Sequence, residues 1–339
     1  MPKMKPENLL RPTPAGLYCP PGDFYIDPVK PVDRAVITHG HSDHARAGHG
    51  KVLATRETLA IMQARYGEDF ALSTEPARYG EKHDRDGVEV TLVPAGHVLG
   101  SAQAVVRHKG FTMVVSGDYK RRRDPTCAPF EPVACDVFIS EATFGIPVFR
   151  HPPDKDEIAK LLKSVAQFPE RTHLVGAYAL GKAQRVICLL REAGYTKTIY
   201  THGALEKLNA LYESFGVDLG PLAPATAEKS KSFSGEIVIA PPSATQDRWS
   251  RRFADPVDAF ASGWMRVRAR ARQRGVEVPL IISDHADWDE LTRTAHELQP
   301  CELWITHGQE DGLLRWAELE GIKARALSLV GYDEEEGED

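Results

Sequence analysis

Residues 38–44 read Thr-His-Gly-His-Ser-Asp-His and set His39, His41, Asp43 and His44 within six positions. Imidazole and carboxylate are borderline-to-hard ligands that suit zinc and its first-row neighbours. Ligands this close in sequence cannot easily all reach one tetrahedral ion, because backbone direction and side-chain length hold them apart. Divided between two adjacent ions, the same cluster works. The competing reading is a solvated, histidine-rich loop. The preceding Arg34-Ala35-Val36-Ile37 is strand-like, with β-branched Val36 and Ile37. The cluster therefore falls where a buried strand ends and a loop opens, a usual place for chemistry.

More candidate ligands follow at later strand ends. His97 lies between glycines in Ala95-Gly96-His97-Val98-Leu99-Gly100-Ser101. Asp118 follows Val114-Val115-Ser116-Gly117, and His307 follows Leu303-Trp304-Ile305-Thr306. One histidine at a strand end is more often structural than functional. Their recurrence beside the first cluster favours a combined site of seven groups: His39, His41, Asp43, His44, His97, Asp118 and His307.

The chain has 339 residues, enough for two domains or for one large domain with an insertion. The first 145 residues read as strand-rich, with short β-prone runs at 88–94 and 111–116. From about residue 154 strands and helices alternate: helix 156–167, strand 173–178, helix 182–193, and strands 198–200 and 235–240. That alternation predicts a parallel α/β unit. Residues 220–232 read as a loop, and strand signals return at 278–283 and 303–306, again followed by histidines.

Composition narrows the class. No window approaches the roughly 18–20 apolar residues of a membrane span, and the first residues lack the apolar core of a signal peptide. Five scattered cysteines with no CxxC pair predict reduced thiols and a cytoplasmic location. A net charge of -6 excludes a global basic field. Local basic runs remain: Lys120, Arg121, Arg122 and Arg123; the arginines beside Trp249 and Phe253; and five arginines from Arg266 to Arg274. Such runs can track phosphates, and an aromatic among them can stack on a base. They can equally be solvated helix faces beside core aromatics. Residues 331–339 read as an acidic, solvated tail.

Gly176 to Lys182 fits GxxxxGK, the start of a phosphate-binding loop, but Ala183 stands where nucleotide-bound magnesium needs a hydroxyl. ATP hydrolysis is therefore rejected. A helix N-terminus with Lys182 beside it can still hold a nucleic-acid phosphate.

His39-Gly40-His41-Ser42-Asp43-His44 matches in full the HxHxDH signature of the metallo-β-lactamase superfamily, and the chain resembles that superfamily across nearly its whole length. The resemblance implies His39, His41 and His97 on one metal, Asp43, His44 and His307 on a second, and Asp118 bridging. Asp27 looks like the early aspartate that supports the first histidines from behind; a turn residue before Pro28 is its other reading. Glu141 and His285, with His307, resemble the three motifs of the β-CASP nucleases. Tyr178-Ala179-Leu180-Gly181-Lys182 is similar to a signature within that family's insertion.

What this resemblance implies is an α/β fold: a metallo-β-lactamase αββα sandwich with an inserted α/β β-CASP lid domain. The parts would be 1–148, the insertion 149–280, a return segment 281–330 and the tail 331–339. It also implies a nuclease using two divalent ions, Zn or Mn, with Glu141 keeping His285 protonated and aimed at the reacting phosphate, and Asp43 in the catalytic set. Products would carry 5′-phosphate and 3′-hydroxyl ends. His307 aligns the chain with the RNA-processing branch, whereas Tyr178–Lys182 leans toward the DNA branch.

Within the family the chain looks most like the DNA-ligase-associated exonucleases. A DNA exonuclease acting on single-stranded or end-processed DNA in repair is therefore the first expectation. A ribonuclease in RNA processing is the second. A small-molecule metallohydrolase is the third, since it would share the metal cluster but need neither Glu141 nor His285. Nucleic acid is the expected partner, contacted by Lys182, Lys120, Arg121 and Arg122, with no membrane and with functional association with a DNA ligase and a helicase.

Overall fold

The structure is a computed structural model and describes residues 4–226, 233–327 and 329. The acidic tail and part of the loop expected at 220–232 lie outside the described residues. The chain divides into two compact units, the first formed by residues up to Val148 and from His285 onward, the second by Phe149–Asp284.

The first unit begins with β1 (Arg11–Thr13), β2 (Gly16–Cys19), β3 (Phe24–Ile26), β4 (Arg34–Val36), β5 (His49–Thr55), α1 (Arg56–Tyr66) and β6 (Ala71–Ala77). It continues with β7 (Lys82–Arg85), β8 (Val88–Pro94), β9 (Ala102–His108), β10 (Phe111–Val115) and β11 (Val137–Ala142). The second unit holds α2 (Asp154–Gln167), β12 (His173–Gly176), α3 (Lys182–Glu192), β13 (Ile199–Thr201), α4 (Gly203–Ser214) and β14 (Leu222–Pro224). It ends with β15 (Ile237–Ala240), α5 (Pro242–Thr245), β16 (Val257–Ala261), α6 (Arg268–Gln273) and β17 (Val278–Leu280). Returning to the first unit, the chain adds α7 (Trp288–Leu298), β18 (Glu302–Gly308), α8 (Glu310–Leu319) and β19 (Ala324–Ala326).

In the first unit β1 to β6 form one sheet in chain order, and a second sheet runs β19-β18-β11-β10-β9-β8-β7. Side-chain alternation decides how these sheets pack. Leu17, Ile26, Val36 and Leu53 of the first sheet meet Val90, Ala104, Val106, Met113, Ile139 and Trp304 of the second in one core. On the outer face of the first sheet, Ala35, Ile37, Val52 and Ala54 pack under Leu59 and Met62 of α1. On the outer face of the second, Val114, Phe138, Leu303 and Ile305 pack under Trp288 and Leu291 of α7 and Leu313 of α8. The result is a layered αββα metallo-β-lactamase fold, in which each fully buried aliphatic or aromatic side chain contributes about 1.5–3 kcal/mol.

The second unit is a parallel sheet in the order β14-β13-β15-β12-β16-β17. Its central strands β12 and β15 are buried at every position, as strands covered on both faces must be. Strand β12 stops at Gly176, two residues short of the expected end, and β17 stops at Leu280 rather than near Ser283. Helix α1 falls in a stretch read as strand-rich. Its apolar residues are too closely set to mark a helical stripe, and Thr55 starts it by accepting from the Thr58 N–H at 3.1 Å. Among the described residues, no helix is long and apolar enough to cross a membrane.

Candidate metal centre

The expected ligands come from the loops that follow strands of the first unit. His39, His41, Asp43 and His44 follow β4, His97 follows β8, Asp118 follows β10, and His307 lies near the end of β18. One ligand atom from each of His39, His41, His97 and Asp118 lies within 4.8 Å of the others, all four side chains being buried. His97 Nε2 is 2.9 Å from His41 Nδ1, and Asp118 Oδ2 is 3.3 Å from His39 Nε2 and 3.8 Å from His97 Nε2. Four ligands about 2.1 Å from one tetrahedral ion lie about 3.4 Å from one another, so these spacings fit a first-row cation.

The same Asp118 oxygen is 3.5 Å from His44 Nε2, which lies 3.4 Å from Asp43 Oδ2. The His307 ring approaches the His44 ring with centroids 5.2 Å apart. Asp118 thus faces both ligand groups. His307 and Gly308 both have positive φ, 60° and 87°. A Cβ on Gly308 would strike the main chain of Ala142 and Thr143, so only glycine permits the turn that presents His307.

At His39 and His44 the second ring nitrogen is fixed by a partner. Asp27 accepts from the Thr38 N–H at 2.7 Å and from the Thr38 hydroxyl at 2.6 Å. With its proton so used, Thr38 Oγ1 is left to accept from His39 Nδ1 at 3.1 Å. Asp27 Oδ2 also receives His44 Nδ1 at 2.8 Å. One carboxylate therefore sets the tautomer of two imidazoles and leaves their Nε2 lone pairs facing inward. His39 Nε2 is buried with no hydrogen-bond partner, which fits it for a metal ligand. Burial, followed by the neighbouring histidines, holds the His39 imidazole neutral by lowering its pKa well below the usual value. At His44 burial works against the proton, but Asp118, Asp43 and Asp27 outweigh it and raise the pKa. Burial also raises Asp118. A cation entering here displaces protons, as metal binding to such groups requires.

Next to this cluster, Glu141, His285 and Asp118 form a second group with ligand atoms within 4.8 Å. Glu141 is fully buried. Its Oε1 accepts the Tyr119 N–H at 2.7 Å, and its Oε2 accepts the Thr143 hydroxyl at 2.6 Å and lies 2.9 Å from His285 Nδ1. A carboxylate held this way orients the imidazole and stabilises its proton. Thr143, Tyr119, Thr38 and Ser101, whose hydroxyl receives the His97 N–H at 3.0 Å, were missed in the sequence. Small hydroxyl residues next to a ligand carry no periodic signal, and proximity to the motif was the one available clue.

The basic residues of the local runs make internal contacts. Lys120 is 1% exposed, with its ammonium turned to the His285 carbonyl at 3.0 Å and to Glu290 at 3.4 Å. Arg121 binds Thr294 at 3.0 Å and Glu297 at 2.5 Å, and Arg122 binds Asp287 at 2.5 Å. In the second unit, Lys182 is buried and paired with buried Asp284. All four side chains have internal partners; Lys120 and Lys182 are buried with theirs, whereas Arg122 keeps about a third of its side chain exposed, 32%. Trp249 packs edge-on against Phe253 at 5.1 Å under Arg252. Arg270 and Arg274 lie over Trp264 and Phe260 at 4.2 and 5.0 Å, so these aromatics serve the protein's own core and surface.

No family model matches the chain. Over 318 residues, 89% of its length, it is 30% identical to a probable DNA ligase of Opitutus terrae, of which it covers 30%. Over 219 residues, 53% of its length, it is 31% identical to endoribonuclease ysh1 of Aspergillus fumigatus, of which it covers 24%. The chain belongs to the metallo-β-lactamase β-CASP family. A solved structure of a protein of unknown function from Enterococcus faecalis V583 shares the fold, with a TM-score of 0.60 at 15% identity over 88% of this chain and 79% of that one. The chain thus spans a minority of the length of both curated relatives named here. In this β-CASP protein the two histidine groups and the Glu141–His285 pair meet at one carboxylate, Asp118.

Proposed function

We propose that the chain is a metal-dependent phosphodiesterase, a DNA exonuclease that acts on single-stranded or end-processed DNA in repair and leaves 5′-phosphate and 3′-hydroxyl ends. The observation that carries this reading is the Glu141–His285 pair set against Asp118, 2.9 Å between Glu141 Oε2 and His285 Nδ1. A small-molecule hydrolase could work with the histidine cluster alone and has no need of a second, separately oriented imidazole. In this reading 149–280 is the β-CASP insertion and 281–330 the return segment.

His39, His41 and His97 would hold one divalent ion, Zn or Mn, and Asp43, His44 and His307 a second, with Asp118 between them. Bound there, the ions supply Lewis acidity and a water of lowered pKa. The protein's own part is positional and protonic. Asp27 fixes the histidines. Glu141 keeps a proton on His285 Nδ1 and aims the ring, so that its other nitrogen can stabilise charge building on the reacting phosphate or protonate the leaving sugar oxygen. Asp43, half-buried at the rim of the second group, belongs with the ligands.

DNA ranks first because the likeness to the probable DNA ligase takes in 89% of this chain. That likeness lies within one longer polypeptide and supports functional association with a ligase. RNA is the second reading, favoured by the likeness to an endoribonuclease over 53% of the chain and by the histidine at 307. We place the protein in the cytoplasm on its odd, scattered cysteines. The test is purified protein with Mn²⁺ or Zn²⁺ on 5′-labelled single-stranded DNA and on RNA of the same sequence. Shortening of the DNA is expected. Cutting of RNA alone would overturn the DNA assignment, and cutting of neither would return the small-molecule reading.

A further inference from the structure

The buried lysine of the basic run has a different use. Burying an ammonium is costly unless it is paired, so the partners of Lys120 tell what the burial is for. Its Nζ donates to the main-chain carbonyl of His285 at 3.0 Å and lies 3.4 Å from Glu290 Oε2. Glu290 closes a capping box at the start of α7: it accepts the Asp287 N–H at 3.0 Å and gives its own N–H to Asp287 at 3.0 Å. The other Glu290 oxygen takes the Arg122 N–H at 2.6 Å, and the Ala286 N–H binds the Tyr119 carbonyl at 2.6 Å. With the Arg122–Asp287 pair, these bonds lace segments 119–122 and 285–290 together.

The main chain of Lys120 reaches a third loop. Its N–H donates to the Ala95 carbonyl at 3.0 Å, and its carbonyl abuts Gly96 so closely that a Cβ there would collide with it. One residue thus joins the loops that carry His97, Asp118 and His285. The buried Glu290 carboxylate at the start of α7 takes part of the cation's charge, but that pairing alone does not require the shorter bond to the His285 carbonyl. What the cation adds is a hold on the carbonyl of His285 itself.

We propose that Lys120 is a positioning residue: its buried ammonium fixes the main chain of His285 and so holds that imidazole in register with Asp118. The kinetic part of this proposal rests on the nuclease reading. The structural part stands without it.

The test uses full-length protein carrying Lys120→Met, which keeps the length of the side chain and removes the charge. One readout is the hydrogen-bonded Nδ1–H resonance of His285 in ¹⁵N-histidine-labelled protein, identified by its absence in His285→Gln. The second is kcat and KM on a labelled oligonucleotide at several salt concentrations, with metal content measured on the same samples. The expected result is a displaced His285 resonance and a kcat about a hundredfold lower, with KM, its salt dependence and the bound metal unchanged. A higher KM with a flatter salt dependence and unchanged kcat would mean that Lys120 meets a phosphate, and the proposal fails. An unchanged resonance and kcat with only a lower melting temperature would make Lys120 a structural lysine, and the proposal fails again. Should Lys120→Met not fold, Glu290→Gln loosens the ammonium without emptying its site, and the same resonance and kcat decide. If the wild type cuts no nucleic acid, the nuclease reading fails while the His285 resonance still decides the role of Lys120.

Discussion

A single carboxylate, Asp27, decides what two histidines can do. Its oxygens take the Thr38 N–H and hydroxyl and the His44 Nδ1, and through Thr38 it reaches His39. Both imidazoles then turn Nε2 inward, His39 with a lone pair to give and His44 with one that a cation frees by displacing its proton. Asp27→Asn keeps the shape but replaces one accepting oxygen with a donor, so one of these bonds must break. Metal affinity is expected to fall about 10–100-fold, read by competition with a chromophoric chelator. Unchanged affinity would show that the histidines are oriented without it. In the sequence Asp27 stands out through its resemblance to the family's early strand-end aspartate, and nothing in its place before Pro28 tells a buried relay from a turn residue. Lys120, Arg121, Arg122 and Lys182 show the same limit from the other side. Charge is visible in a sequence and burial is not, so cations paired with Glu290, Glu297, Asp287 and Asp284 read as cations open to a ligand.

At the scale of elements, strand ends do the work. Strands β4, β8, β10, β11 and β18 each deliver a ligand or its neighbour to one region, which is why short β-branched runs followed by His or Asp were legible. The opposite edges of the two sheets are joined by charge. Glu75 of β6 binds Lys51 at 2.6 Å, His83 at 2.7 Å and Arg85 at 2.8 Å. Its partial burial would raise the carboxyl, but Arg85, Lys51 and His83 outweigh that and bring its pKa down to about 2. A carboxylate whose folded pKa is depressed stabilises the fold above its unfolded pKa, and that contribution is lost as pH falls through the folded value. Glu75→Gln is therefore expected to cost about 2 kcal/mol at pH 7, allowing for solvent at the site. The difference should shrink steadily below about pH 4.5 toward pH 2, as read by urea unfolding. A deficit that stays constant down to pH 3 would assign the loss to packing. These edge strands were not read individually from the sequence, because β6 and β7 carry mostly polar, exposed residues, even though β7 pairs with β8 through a tight turn at Asp86 and Gly87.

For the molecule as a whole, the chain leaves its first unit after Val148 and returns to it at His285. The shift from strand-rich to alternating strand and helix near residue 154 made the second unit legible, because a parallel sheet needs crossover helices. Its limits were less so, since Gly176 and Leu280 end their strands before the apolar runs do. In the proposed reading the return at His285 turns a histidine cluster into a two-part site, with ligands from early strand ends and from His307 on β18, and an oriented imidazole at His285. That division of labour is the central claim, and metal content measured beside turnover on His285→Ala tests it most directly. The expected result is a fall in kcat of about 10²–10⁴ with bound metal equal to that of the wild type. Loss of metal together with activity would make His285 a ligand, and retained turnover would remove it from the chemistry; either result contradicts the account.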